Sequence, residues 1–140
     1  MSEGQSLSYA KAQTATRSRI YQILFGLSLI ANMLIGLWCI FDPVGFAHLV
    51  LQIDPYPQAW PRIWGATLFA LQFVCIPGVF NPLFYRWPNW SSIAIKIVMT
   101  IIFLTAGSHF YLLAAWEIVW FVILLIAYYG LLVADIRDKP

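Results

Sequence analysis

Four long apolar runs divide this chain, at about residues 20–41, 62–80, 92–113 and 117–134. Each is close to the roughly 20 residues that a helix needs to cross about 30 Å of hydrocarbon, and each carries almost no charge. The polar positions fall between the runs. Asp42-Pro43 closes the first one, because a residue that precedes proline is pushed out of the helical region. Within that run Ser28, Asn32 and Gly36 are spaced by four and share one helix face. Small and polar residues on one face predict a helix–helix seam in lipid. The second run starts beside Pro61, a residue suited to a first helical turn. Gly65, Ala66 and Ala70 lie near its start, Gln72 is its one strongly polar interior side chain, and Pro77-Gly78 loosens its last turn.

The third run begins at about Ser92, after a connection over residues 81–91 that holds two prolines, two tryptophans and Arg86. Aromatics in such a turn settle at headgroup depth. Lys96 is then one turn from the helix end, close enough to snorkel to the headgroups. Thr105 and His109 are four apart, with the small patch Ala106-Gly107-Ser108 between them. Only residues 114–116 separate the third run from the fourth, which predicts a tight antiparallel hairpin.

One long stretch, residues 42–61, is neither a span nor a tail. It holds two of the six acidic residues and one of the two histidines. Val44–Ile53 is apolar but too short to cross, so it predicts a short helix in the interface. Asp54-Pro55-Tyr56-Pro57 breaks any helix.

Composition agrees with the pattern. The chain is 61% hydrophobic and 10% charged, against roughly 25% charged in a soluble domain. The expected fold is all-α: an integral membrane antiparallel four-helix bundle with a structured outer loop between helices 1 and 2. Residues 1–18 form a polar cytoplasmic arm, 19–135 the membrane domain, and 136–140 a cytoplasmic tail. Lys11, Arg17 and Arg19 precede the first run as in a signal peptide. The run is too long for one, however, and no small-residue cleavage site ends it, so it reads as a retained span. Four spans put both termini on one side, with Lys11, Arg17, Arg19, Arg86, Lys96, Arg137 and Lys139. The other side carries Arg62 alone. The positive-inside rule then places both termini in the cytoplasm. Eight scattered basic residues make no nucleic-acid surface.

Candidate chemistry gathers at the outer ends: Asp42, His48, Asp54, Arg62, His109 and Glu117. Ionisable residues at membrane depth are functional candidates by default. Arg62, between Trp60 and Trp64, can pair with Asp42, Asp54 or Glu117, hold an anionic headgroup, or stack on indole. The plainer reading is a loop ion pair among Asp42, His48, Asp54 and Arg62 that fixes the loop to the bundle. A cleft for a flat lipophilic ligand, a lipid or quinone, would use Arg62, His109 and Glu117 as polar contacts and Trp64 and Trp120 as walls. No ligand pair has metal-site spacing, and no nucleophile elbow, phosphate loop or carboxylate pair is present, so no catalytic or metal residues are assigned. Cys39 and Cys75 lie at opposed depths and read as small buried residues, unsuited to a disulfide or a redox pair.

The four spans, the proline-bearing first outer loop and the R-x-x-G start of the second span (Arg62, Gly65) resemble the small DoxX-like bacterial membrane proteins over about residues 20–134. That resemblance implies the same four-helix fold in a bacterial inner membrane. Some members of the set are implied to be subunits of quinone-linked oxidoreductases. The expected function is a non-catalytic accessory or assembly subunit of a larger membrane complex. It would have membrane lipids and other membrane subunits, or further copies of itself, as partners. One alternative is a lipid- or quinone-binding, redox-linked protein with its site under the outer loop. Another is an oligomeric small-molecule transporter.

Overall fold

The computed structural model describes residues 3–54 and 59–139. Among these the chain is helical with no strand, and four helices are long and apolar enough to cross a membrane. The protein is thus a small all-α membrane protein. Helix α1 spans Glu3–Phe41, the short α2 Pro43–Phe46, α3 Ala59–Phe80, α4 Arg86–Ala106 and α5 Tyr111–Arg137. A π-helical turn, Ala47–Leu51, follows α2, and a 3₁₀ turn, Ser108–Phe110, precedes α5.

The long helices close a ring. α1 packs on α3 and α5, and α4 packs on α5 and, least extensively, on α3. In the most apolar window of each span only 22–33% of residues are buried, so most of the apolar surface faces outward, as lipid requires. The α1–α3 contact is the closest. Ser28, Asn32 and Gly36 are all buried, as the spacing predicts, and Gly36 lies in this contact. A Cβ on Gly36 would sit 2.7 Å from the Gly65 carbonyl oxygen, and one on Gly65 would sit 2.5 Å from the Cys39 Cβ. Hence both positions need glycine, because the backbones touch.

Several boundaries differ from those expected. α1 continues without a break from Glu3 through the polar residues, so the backbone has no separate arm ending at residue 18. At roughly 1.5 Å per residue α1 outruns the bilayer by several turns. The connection after α3 is only 81–85, and α4 already begins at Arg86. Pro88 marks its first turn, where a missing N–H costs nothing. Asn89 fastens this end: its Nδ2 donates to the carbonyls of Pro82 (2.9 Å) and Tyr85 (3.0 Å). The hairpin turn is not at 114–116 but at Gly107, whose φ of 120° favours glycine. α4 therefore ends at Ala106, and the expected third span loses its last residues to the turn and to α5.

The stretch after α1 folds over the bundle. Asp42 caps α2 by accepting from the Gly45 N–H at 2.9 Å. Phe46 and Leu51 are buried against Cys39, Phe103, Leu113 and Ala114, and Ala47 between them is buried too. Gln52 takes a left-handed conformation that ends the π turn. The break expected at Asp54-Pro55-Tyr56-Pro57 lies, beyond Asp54, outside the described residues. Two apolar cores result. One lies at the loop end. The other lies at the end bearing the termini and is built on Tyr21, Phe25, Leu124, Tyr128 and Leu131. Polar side chains occupy the level between them.

Candidate functional site

Lys96 and Glu117 define that polar level. Lys96 is ten residues from either end of α4, near the middle of the membrane rather than at its edge. It is 2% exposed, so it does not snorkel. Its Nζ lies 3.1 Å from Glu117 Oε2, with Glu117 6% exposed. The pairing follows from the turn. Lys96 and Glu117 are 11 and 10 residues from Gly107, so the α4–α5 hairpin brings them level. Two charges held here lose their hydration, a cost that their mutual attraction offsets only partly.

A cavity of about 110 Å³ adjoins the pair. α1 contributes Asn32, α3 contributes Trp64, Gln72 and Cys75, and α4 contributes Ser92 beside Lys96. Donors and acceptors both face the cavity, and several of the donors are unspent. Lys96 ammonium carries three donors and spends one on Glu117. Asn32 Oδ1 accepts from Trp116 Nε1 at 3.4 Å, which leaves its amide N–H groups for the cavity. Gln72 Nε2 donates to the Leu68 carbonyl at 2.8 Å, which uses one of its two protons. Thr100 donates to the Lys96 carbonyl at 2.8 Å and adds nothing to the cavity.

The cavity is roofed at the loop end and open at the side. A row of rings crosses the roof: Trp38 to Phe46 (5.5 Å between centroids), Phe46 to Trp64 (5.7 Å), Trp64 to Phe103 (6.2 Å) and Phe103 to Phe110 (6.0 Å). The aromatic core around Tyr21 and Tyr128 closes the other end. Thr67, Leu71 and Ile95 also line the cavity and are exposed on the outside of the bundle. The opening therefore lies between α3 and α4, the least extensively packed pair of neighbours, and faces lipid.

The residues singled out from sequence are distributed more widely than expected. Glu117 and Trp64 line the cavity. Arg62 is exposed, and among the described residues it has no ion-pair partner. The three acids weighed as its partners are engaged elsewhere: Asp42 with Gly45, Asp54 with His48 at 2.9 Å, and Glu117 with Lys96. His109 lies on the 3₁₀ turn with Nδ1 3.1 Å from the Leu51 carbonyl oxygen, which can only accept. It ties the hairpin turn to the folded-over loop. Trp120 packs edge-on to Trp116, at 5.9 Å, and against the core of the termini end. Cys39 and Cys75 are both buried and free. Among the described residues no three His, Cys, Asp or Glu side chains gather as metal ligands.

Sequence reasoning missed Lys96, Gln72, Asn32 and Ser92 as members of one site. The available signal was Gly107 read as a helix terminator, which would have set Lys96 opposite Glu117. A cavity of about 110 Å³ is smaller than the roughly 150 Å³ that encloses a benzene ring. It holds a carboxyl- or hydroxyl-sized head, and anything larger extends through the side opening. No family model, curated protein or solved structure matches the chain. The DoxX-like resemblance accordingly rests on the residues that suggested it.

Proposed function

We propose that this protein binds a small amphiphile drawn from the bilayer, holding its polar head at Lys96 and Glu117 while its tail leaves between α3 and α4. The observation that carries this reading is the buried ion pair beside a polar cavity that opens to lipid rather than to water. A pair placed there for stability alone is a poor investment of charge, since apolar residues of similar volume do as well or better. Intramembrane charges that face a cavity are the usual mark of a ligand or ion site. A role solely as an accessory subunit would leave this interior without a task. A transporter would need a route to both faces, and aromatic side chains close both ends of this cavity.

In this reading the protein lies in a bacterial inner membrane, as the DoxX-like resemblance implies, with both termini cytoplasmic. Lys96, at mid-helix, drops out of the charge tally. Lys11, Arg17, Arg19, Arg86, Arg137 and Lys139 still oppose Arg62 alone, so the positive-inside rule supports the same orientation.

The test is mass spectrometry of the intact protein gently extracted from its own membrane, beside a K96M/E117L double variant that keeps the core filled. The expected result is one amphiphile per wild-type chain and none on the double variant. Equal adducts on both, or stoichiometric protein subunits with no adduct, would reject the reading.

A further inference from the structure

Building on that site, we infer that the head it takes is a carboxylic acid, and that binding exchanges Glu117 for the ligand as the partner of Lys96. The unspent donors give an acceptor head its partners: Lys96 has two unspent protons, and the Asn32 and Gln72 amides each offer at least one more. Among the described residues Glu117 is the one carboxylate lining the cavity. A neutral ester or ketone would satisfy some of these donors and leave the ion pair as it is. An acid can do more, and it can do so without stranding a charge.

The exchange balances as one proton transfer. The acid reaches the cavity from lipid in its neutral form, because a bare anion at that depth is costly. Its O–H bond breaks and the proton passes to a Glu117 carboxylate oxygen. The new carboxylate takes the Lys96 ammonium, and Glu117 becomes a neutral donor. The site is net neutral before and after. Cys75, the other titratable side chain on the cavity wall, takes no part. The size also agrees: the cavity holds the carboxyl head and the first carbons, and the chain extends past Leu71 and Ile95 into the lipid.

The experiment uses the full chain in nanodiscs of zwitterionic lipid. It is titrated with carboxyl-labelled lauric acid, methyl laurate and dodecanol, and bound carboxyl groups are followed by infrared spectroscopy. The acid should bind about 10- to 100-fold more tightly than the ester, the worth of a hydrogen bond to a charged partner. The bound label should absorb as a carboxylate, while a protonated-carboxyl band appears that E117Q lacks. K96M should lose the preference for acid, and E117Q should keep it. A structural ion pair would instead make the two variants fail alike. The wild-type spectrum decides the matter even where a variant does not fold: a bound label that stays protonated overturns the inference. Ester or alcohol binding as tightly as acid overturns it too, yet leaves the amphiphile site standing. No saturable binding of any of the three probes removes the site itself.

Discussion

Two of the ion pairs in this protein have nearly the same length and opposite surroundings. His48 Nε2 and Asp54 Oδ1 are 2.9 Å apart, with side chains 55% and 88% exposed. Lys96 Nζ and Glu117 Oε2 are 3.1 Å apart, with side chains 3% and 8% exposed. The shorter contact is the weaker one. Solvent screens the loop pair, and holding two mobile side chains together opposes the little attraction that remains. The interior pair is shielded from bulk solvent, so it is screened far less. Burial, not distance, decides which of the two the fold depends on.

Substitutions can break this contrast. The largest effect should come from K96M, which leaves Glu117 buried without its partner. A loss of about 3–5 kcal/mol is expected, read as a fall in the unfolding midpoint in detergent. A packing change serves as the yardstick. Gly65→Leu forces a side chain into the α1–α3 contact and should cost about 1–3 kcal/mol in the same assay. Removing both charges should cost less than removing one. K96M/E117L is expected to come within about 1 kcal/mol of the wild type, so a double-mutant cycle would show strong coupling. The smallest effect belongs to Asp54→Asn, which should not measurably move the midpoint. A large shift there, or additive effects at Lys96 and Glu117, would undo the comparison.

The same two pairs show what was legible in the sequence. Helix number, the end of α1 at Asp42-Pro43 and the buried face of Ser28, Asn32 and Gly36 follow from local pattern, because lipid leaves backbone polar groups no alternative to helix. The interior pair depends on register, which local pattern sets only weakly. Pro88 suggested a loop where it starts a helix, and this moved Lys96 from the middle of α4 to its edge. Gly107 lay inside an apolar run and gave no polar signal, so the turn was placed about eight residues late. A turn centred on residue 115 would set Lys96 opposite Ala134 and leave Glu117 at the boundary. Two modest boundary errors thus separated two residues that lie 3.1 Å apart. The outer cluster failed differently. Asp42, Asp54 and Arg62 were grouped by depth alone, and side chains at one depth can still point around a whole ring of helices.

The sideways opening between α3 and α4 has a consequence for how occupancy is set. A site that meets only lipid samples its ligand by mole fraction in the membrane, not by concentration in water. A sparingly soluble amphiphile accumulates there, so even a modest intrinsic affinity can fill the cavity. Adding empty vesicles would drain it by dilution, with no change in the aqueous phase. Through α3 and α4 the protein would follow the make-up of the sheet it floats in.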